Sequence, residues 1–341
     1  VIEIDGSQGE GGGQVLRTAL ALSLLTRKPF RIAKIRANRK TPGLLRQHLT
    51  SVEAAARVGN ASTEGASLGA NTLTFVPGDV HAGDYAFAIG TAGSTTLVLQ
   101  TVLLPLTLVD APSTIVLEGG THNPMAPPFD FIEQAYLPLL ARMGATVSIA
   151  LERPGFFPAG GGRIRVSITP AKALARLELE ERGEIAGRRV LAMVANLPYN
   201  IAEREARVAA ETLGWPPETA QSHTVNGSIG PGNTLSISVA STNVTNVFTG
   251  FGVRGVAAER IAHDAALQAK RYINSDAAVD EHLADQLLLP MAVGGGGTFT
   301  TTPLSTHATT NIEVIRKFVD VRIEVTELSR GLRRVSVRPA A

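Results

Sequence analysis

The chain has 341 residues, 44% of them apolar and 18% charged, a balance that suits a globular protein with one large domain or two ordinary ones. Its formal net charge of +2 excludes a coat of basic charge over the whole molecule, so any phosphate-binding surface has to be local. No cysteine is present, which removes disulfides, thiolate metal sites and thiol nucleophiles from consideration.

In chain order, Val1 to Ile4 reads as a strand, and after a glycine-rich loop Gln14 to Leu25 carries apolar residues at helical spacing. Phe30 to Arg36 reads as a second strand. Pro42-Gly43 marks a helix start, with Leu45, Leu49, Val52 and Ala56 as its apolar stripe. Two more strand-like runs follow and end at Val76. The unit is β-α-β-α-β-β.

The same order recurs from Tyr85 to Ile168, with helices over Ser94 to Leu106 and Pro128 to Met143. A third unit begins with a strand at Arg176 to Glu181 and resumes only at the helix Glu281 to Met291, about 95 residues later. It then continues with a strand at Thr298 to Thr302, a helix at Ser305 to Phe318 and two closing strands. So long a break is an inserted domain rather than a loop. The expected fold is therefore α+β. Three repeats form a large domain over residues 1–183 and 277–341, and a small α+β domain over 184–276 is inserted in the third. The longest apolar stretch, Leu97 to Val109, falls short of the ~20 residues that span a bilayer. No basic region followed by an apolar core opens the sequence, so no membrane is expected and a cytoplasmic setting is.

The loop Gly6-Ser-Gln-Gly-Glu-Gly-Gly-Gly-Gln14 joins a strand to a helix, where bare amides and the helix dipole favour an anion. It is not a P-loop, and Gln14 stands where a dinucleotide fingerprint needs its last glycine. Glu10, a carboxylate among such amides, makes sense if a divalent cation bridges it to phosphate. Arg17 follows on that helix, and Arg36, Arg39, Lys40 and Arg46 surround Thr41-Pro42-Gly43. Such a group reads either as a solvated face or as a phosphate grip.

His307 lies in the first turn of the second helix of the third repeat, where the dipole disfavours imidazolium. The ring is either a hydrogen-bonding partner near a cap or a neutral nucleophile. None of the seven histidines has the spacing of a zinc helix, and no serine elbow is present.

Four segments, together with the block around His307, closely resemble the RNA 3'-terminal phosphate cyclase family. They are Gly6 to Gln14, Arg36 to His48, Gly93-Ser-Thr-Thr-Leu-Val-Leu-Gln100 and His282-Leu-Ala-Asp-Gln286. The resemblance covers nearly the whole chain. It implies an enzyme in which His307 attacks the α-phosphorus of ATP, passes AMP to an RNA 3'-phosphate, and lets the 2'-hydroxyl close a 2',3'-cyclic phosphate. It further implies that Glu10 holds Mg²⁺ or Mn²⁺, and that Arg17, Arg36, Arg39 and Gln47 grip phosphate. Gln100, His282, Leu283, Ala284, Asp285 and Gln286 would bind ATP. Two positions depart from the family: His282 replaces a frequent tyrosine, and Pro154 precedes Gly155 where a basic residue is usual. The alternatives are a non-catalytic ribosome-assembly relative, which lacks the nucleophilic histidine, and an enolpyruvyl transferase, which shares the repeated architecture.

Overall fold

The computed structural model describes residues 1–340. The first repeat runs β1 (Ile2–Asp5), α1 (Gly13–Thr26), β2 (Phe30–Ala33), α2 (Arg46–Val58), β3 (Ser62–Glu64) and β4 (Leu73–Val76). The second runs β5 (Asp84–Ala88), α3 (Thr95–Thr107), β6 (Ser113–Gly119), a helical run, β7 (Thr146–Arg153) and β8 (Gly162–Thr169). That helical run is α4 (Phe129–Phe131), a π-helical turn (Ile132–Tyr136) and α5 (Leu137–Arg142).

After β9 (Leu177–Leu179) the chain leaves the third repeat for β10 (Ile185–Ala195), α6 (Asn200–Leu213), β11 (Ala220–Thr224), β12 (Gly232–Ser241), β13 (Thr245–Phe251) and α7 (Ala258–Ile273). It returns with α8 (Glu281–Val293), β14 (Gly297–Thr301), α9 (Thr306–Phe318), β15 (Val321–Ser329) and β16 (Leu332–Pro339).

The three repeats build three sheets of one topology: β1-β2-β4-β3, β5-β6-β8-β7 and β9-β14-β16-β15. In each, the first pair is parallel and the other two are antiparallel. A parallel pair needs a crossover, and α1, α3 and α8 supply it, which is why a helix follows the first strand each time. α3 is buried on every side except at Gln100, so it packs as a central helix between α1 and α2. The lone amide on that helix marks where the core opens.

α2 buries His48, Ser51, Val52 and Ala55, whereas Leu45 is exposed and Leu49 and Ala56 are half-buried. The apolar stripe read from the sequence is thus rotated by about one residue, because a histidine and a serine take core-facing positions. β2 stops at Ala33 rather than Arg36, since Lys34 and Arg36 adopt left-handed backbone (φ 56° and 54°) and turn the chain.

One apolar cluster, from Ile4 to Val337, runs through all three repeats. A second joins Val190, Val194, Leu235, Ile237 and Tyr272 beneath α6 and α7. Alanines line the inward faces of these two helices at 202, 206, 209, 262, 265, 266 and 269, so their backbones approach the sheet closely. β13 is the seam. By strand alternation Val247 joins the large cluster and Phe248 the small one. From these two clusters we propose 184–276 as an inserted folding unit and the remainder as one discontinuous unit. β11 is an edge strand whose residues show no apolar alternation, so periodicity does not signal it. Among the described residues no helix is long and apolar enough to cross a membrane.

The inserted segment holds one unusual ionisable group. Glu205 on α6 is fully buried, with Oε2 accepting from Asn233 Nδ2 at 2.7 Å and Oε1 without a partner. Burial pushes its pKa up to about 7, against the Asn233 hydrogen bond and the Arg204 charge. The folded chain therefore keeps this proton where the unfolded chain has lost it, and stability falls as pH rises from the ordinary carboxylate range through about 7. Glu205→Gln, which mimics the protonated form, is expected to melt above the native chain at about pH 8, by the equivalent of ~1–3 kcal/mol, with the gap closing toward about pH 5. A melting difference that does not change with pH would contradict this assignment.

Candidate active site

The glycine loop leaves β1 and enters α1 without a capping side chain, so the first amides of that helix have no side-chain acceptor. Gly11 (φ 59°) sits against the Asn38 side chain, and a Cβ at Gly13 would collide with His48 and Arg17. Glycine suits the left-handed backbone at Gly11, where the loop lies against the Asn38 side chain. Asn38 Nδ2 ties the two segments together by donating to Ser7 O at 2.8 Å.

Arg17 is half-buried against the same loop, and the loss of water around its guanidinium pulls its pKa down to about 10, with Asp285 opposing the fall and Arg36 adding to it. It stays a cation at neutral pH. Arg36 Nη1 donates to Thr41 O at 2.6 Å and Gly43 O at 2.9 Å, which fixes its guanidinium at the turn. Arg39 pairs with Glu10 Oε1. His48, next to Gln47 on α2, is drawn down to about 3 by burial and by Arg17 and Arg36, so it is neutral.

His307 enters from α9, whose N-cap Ser305 accepts from Ala308 N at 3.2 Å. Its Nδ1 lies 2.9 Å from Gln14 Oε1. The Gln14 amide in turn donates to both oxygens of Asp285, at 2.8 and 2.9 Å. Since Gln14 spends its donors on a carboxylate, its oxygen must accept, and Nδ1 of His307 carries the proton. Nε2 is left with its lone pair, 4.0 Å from Glu10 Oε1. Burial lowers the pKa of His307, with Arg39, Arg17 and His282 adding to the fall and Asp285 opposing it. The ring is neutral near pH 7.

Asp285 is buried, and burial raises its pKa against the pull of Gln14, Asn311, His307 and Arg17. Asn311 Nδ2 donates to it at 3.1 Å, and Thr18 holds Asn311 at 2.9 Å. Gln286 Nε2 adds a bond at 3.2 Å and is itself joined to Gln100, the exception on α3.

Residues 8–325 match the RNA 3'-terminal phosphate cyclase family. A protein of that name from Ralstonia nicotianae is 55% identical over 95% of this chain and 93% of its own. One from Koribacter versatilis is 53% identical over 96% and 92%, and one from Ectopseudomonas mendocina 52% over 99% and 98%. The chain belongs to the RNA 3'-terminal phosphate cyclase family. A solved enolpyruvyl transferase, NikO from Streptomyces tendae, aligns over 98% of this chain and 47% of its own at 13% identity and a TM-score of 0.37, too loosely to bear on function.

A cavity of about 990 Å³ gathers the side chains that the cyclase resemblance singled out. Glu10, Arg17, Arg36, Arg39, Gln47, Gln100, His282, Asp285, Gln286 and His307 all line it. Leu283 and Ala284 do not. Both are fully buried in the large core, because α8 turns those two positions inward while Asp285 and Gln286 face the cavity. Sequence reasoning missed Gln14, His48, Asn123, Asn311 and the wall Val247–Phe251 from the inserted segment. For Gln14 the signal was present, as the residue that breaks a dinucleotide fingerprint at a helix start.

A divalent metal fits the site at Glu10, whose Oε2 is buried without any partner. Among the described residues no group of three His, Asp or Glu could hold an ion alone, so phosphate oxygens and water would complete its shell. The tautomer follows directly from the hydrogen bonds: ¹⁵N NMR of His307 is expected to show a protonated Nδ1 and a bare Nε2, with the bias lost in Gln14→Ala. A protonated Nε2 in the native chain would overturn the assignment.

Proposed function

We propose that this cyclase adenylates itself at His307 Nε2 and uses ATP to convert an RNA 3'-phosphate to a 2',3'-cyclic phosphate. The observation that carries the reading is the chain His307–Gln14–Asp285, which presents an unprotonated ring nitrogen to a cavity lined by three arginines and Glu10.

In the first step Nε2 forms a bond to the α-phosphorus while the α–β anhydride bond breaks and pyrophosphate leaves. The Nδ1 proton stays in place, so the adenylated ring is cationic. Gln14, backed by the Asp285 carboxylate, stabilises that charge. A cationic ring is also a good leaving group. In the second step an RNA 3'-phosphate oxygen bonds to the same phosphorus, the N–P bond breaks, and His307 returns neutral. In the third, the 2'-oxygen bonds to the RNA 3'-phosphorus, the anhydride bond breaks, AMP leaves with the electron pair, and the hydroxyl proton passes to phosphate or solvent. Arg17, Arg36 and Arg39 supply the positive charge that each in-line displacement needs on its equatorial oxygens. Gln47, whose Oε1 is occupied by Ser94 N at 2.7 Å, offers its amide N–H groups to the terminal phosphate. A bound Mg²⁺ or Mn²⁺ at Glu10 would neutralise phosphate charge. His282, Gln100 and Gln286 form the ATP side, and a cytoplasmic setting is part of this reading.

His307→Ala is expected to lose the protein–AMP bond and cyclisation of 3'-phosphate RNA, a fall of up to ~10⁶-fold, yet still to close RNA that already carries a 3'-pp-5'A end. Adenylation of the mutant would place the nucleophile elsewhere. Glu10→Ala is expected to shift the metal dependence of adenylation to higher concentration, and Arg17→Ala to slow it ~10²-fold or more. Native metal dependence in the first variant, or a native rate in the second, removes that residue from the site.

A further inference from the structure

The loop after β6, residues 120–128, contributes Asn123 to Pro128 to the cavity wall and is held from several sides. Gly120 exchanges backbone hydrogen bonds with Gly93 and Thr95 at 2.7 and 2.8 Å. Thr121 and His122 both donate their N–H to Gly155 O, and the His122 ring stacks on Phe156 at 5.4 Å and reaches Asp130 Oδ2 at 3.2 Å. Such a loop fixes the side chain that follows it.

That side chain is Asn123, 8% exposed and lining the cavity. Its Nδ2 donates to Ala92 O, which settles which end of the amide is which. Oδ1 is then buried with no donor at all. A buried acceptor left unpaired is destabilising, and because Asn123 lines the cavity a donor on a bound ligand would satisfy it. Asn123 is tied to Ala92, two residues before the Ser94 whose N–H holds Gln47, and both Asn123 and Gln47 line the one cavity. Met125 (86% exposed) and Phe157 (67% exposed) line the same side and leave it open to solvent, as an entering strand requires.

Resting on the cyclase reading above, we propose that Asn123 Oδ1 accepts a hydrogen bond from the 2'-hydroxyl of the terminal RNA nucleotide and positions that oxygen toward the 3'-phosphorus. The 2'-hydroxyl is the donor that an RNA end has and a DNA end lacks. A neutral amide oxygen suits the place, since a carboxylate there would repel the adjacent phosphate. Asn123 takes no proton. It is a positioning residue: the 2'-oxygen forms the new bond to phosphorus, AMP departs, and the proton leaves to phosphate or solvent.

The test uses Asn123→Ala in the full chain with three readouts. Self-adenylation from ATP alone is expected to fall much less than closure does, and a melting temperature close to native reports that the variant is folded. Closure of synthetic RNA bearing a 3'-pp-5'A end is expected to fall about 10–10²-fold, the loss of one positioned hydrogen bond. In competition binding, the native chain is expected to prefer a 3'-phosphate end with a 2'-hydroxyl over the 2'-deoxy end, and the variant to lose that preference. Native closure rates, or an undiminished preference for the hydroxyl end, would overturn the proposal. So would adenylation that falls in step with closure, which would assign Asn123 to ATP or to the fold. Failure of the underlying reading would look different, with no protein-bound AMP on the native chain.

Discussion

The site depends on the burial of one carboxylate. Asp285 lies in the interior where α8, α1 and α9 meet, and it accepts hydrogen bonds from Gln14, Asn311 and Gln286. Gln100 reaches the group from α3 through Gln286. A buried carboxylate is tolerable only with such donors in place, and here they come from the first and third repeats, with the second reaching the group only through Gln100 and Gln286. The constraint therefore runs in both directions. The repeats have to pack correctly to satisfy Asp285, and Asp285 fixes Gln14, which fixes the tautomer of His307.

Charge is arranged locally against a nearly neutral whole. The chain carries a formal +2, yet Arg17, Arg36 and Arg39 converge on one cavity, opposed there by Glu10 and Asp285. Each carboxylate has its own task. Asp285 is saturated with donors and acts through Gln14 on the ring, whereas Glu10 presents one oxygen to Arg39 and keeps the other free. His48 completes the logic by staying neutral between two arginines, so it adds a polar edge without adding repulsion.

The fold was legible because each repeat alternates periods of two and 3.6 in the same order, and a pattern seen twice exposes an interrupted third copy. What escaped was the part whose residues break periodicity: β11 has no apolar face, and α2 buries His48 and Ser51 where apolar residues were expected. At the site, the glycine loop, the arginines and His307 were legible from local chemistry. Gln14 could be noted only as the residue that breaks a fingerprint, since its partner Asp285 is 271 positions away, and Asn311 was not legible, because a polar residue on a buried helix face looks like any other polar residue. Leu283 and Ala284 were grouped with their neighbours by a contiguous motif, but a helix sends adjacent residues to different faces.

The central claim is that His307 Nε2 is the atom that takes AMP, and mapping the bond tests it most directly. The chain would be incubated with ATP labelled on the α-phosphate and a divalent metal, then digested under alkaline conditions, and the labelled peptide sequenced by mass spectrometry. The account predicts a single AMP, acid-labile and alkali-stable, on the peptide that contains His307, with ³¹P–¹⁵N coupling to Nε2. Label on another residue, attachment through Nδ1, or no covalent AMP would contradict it.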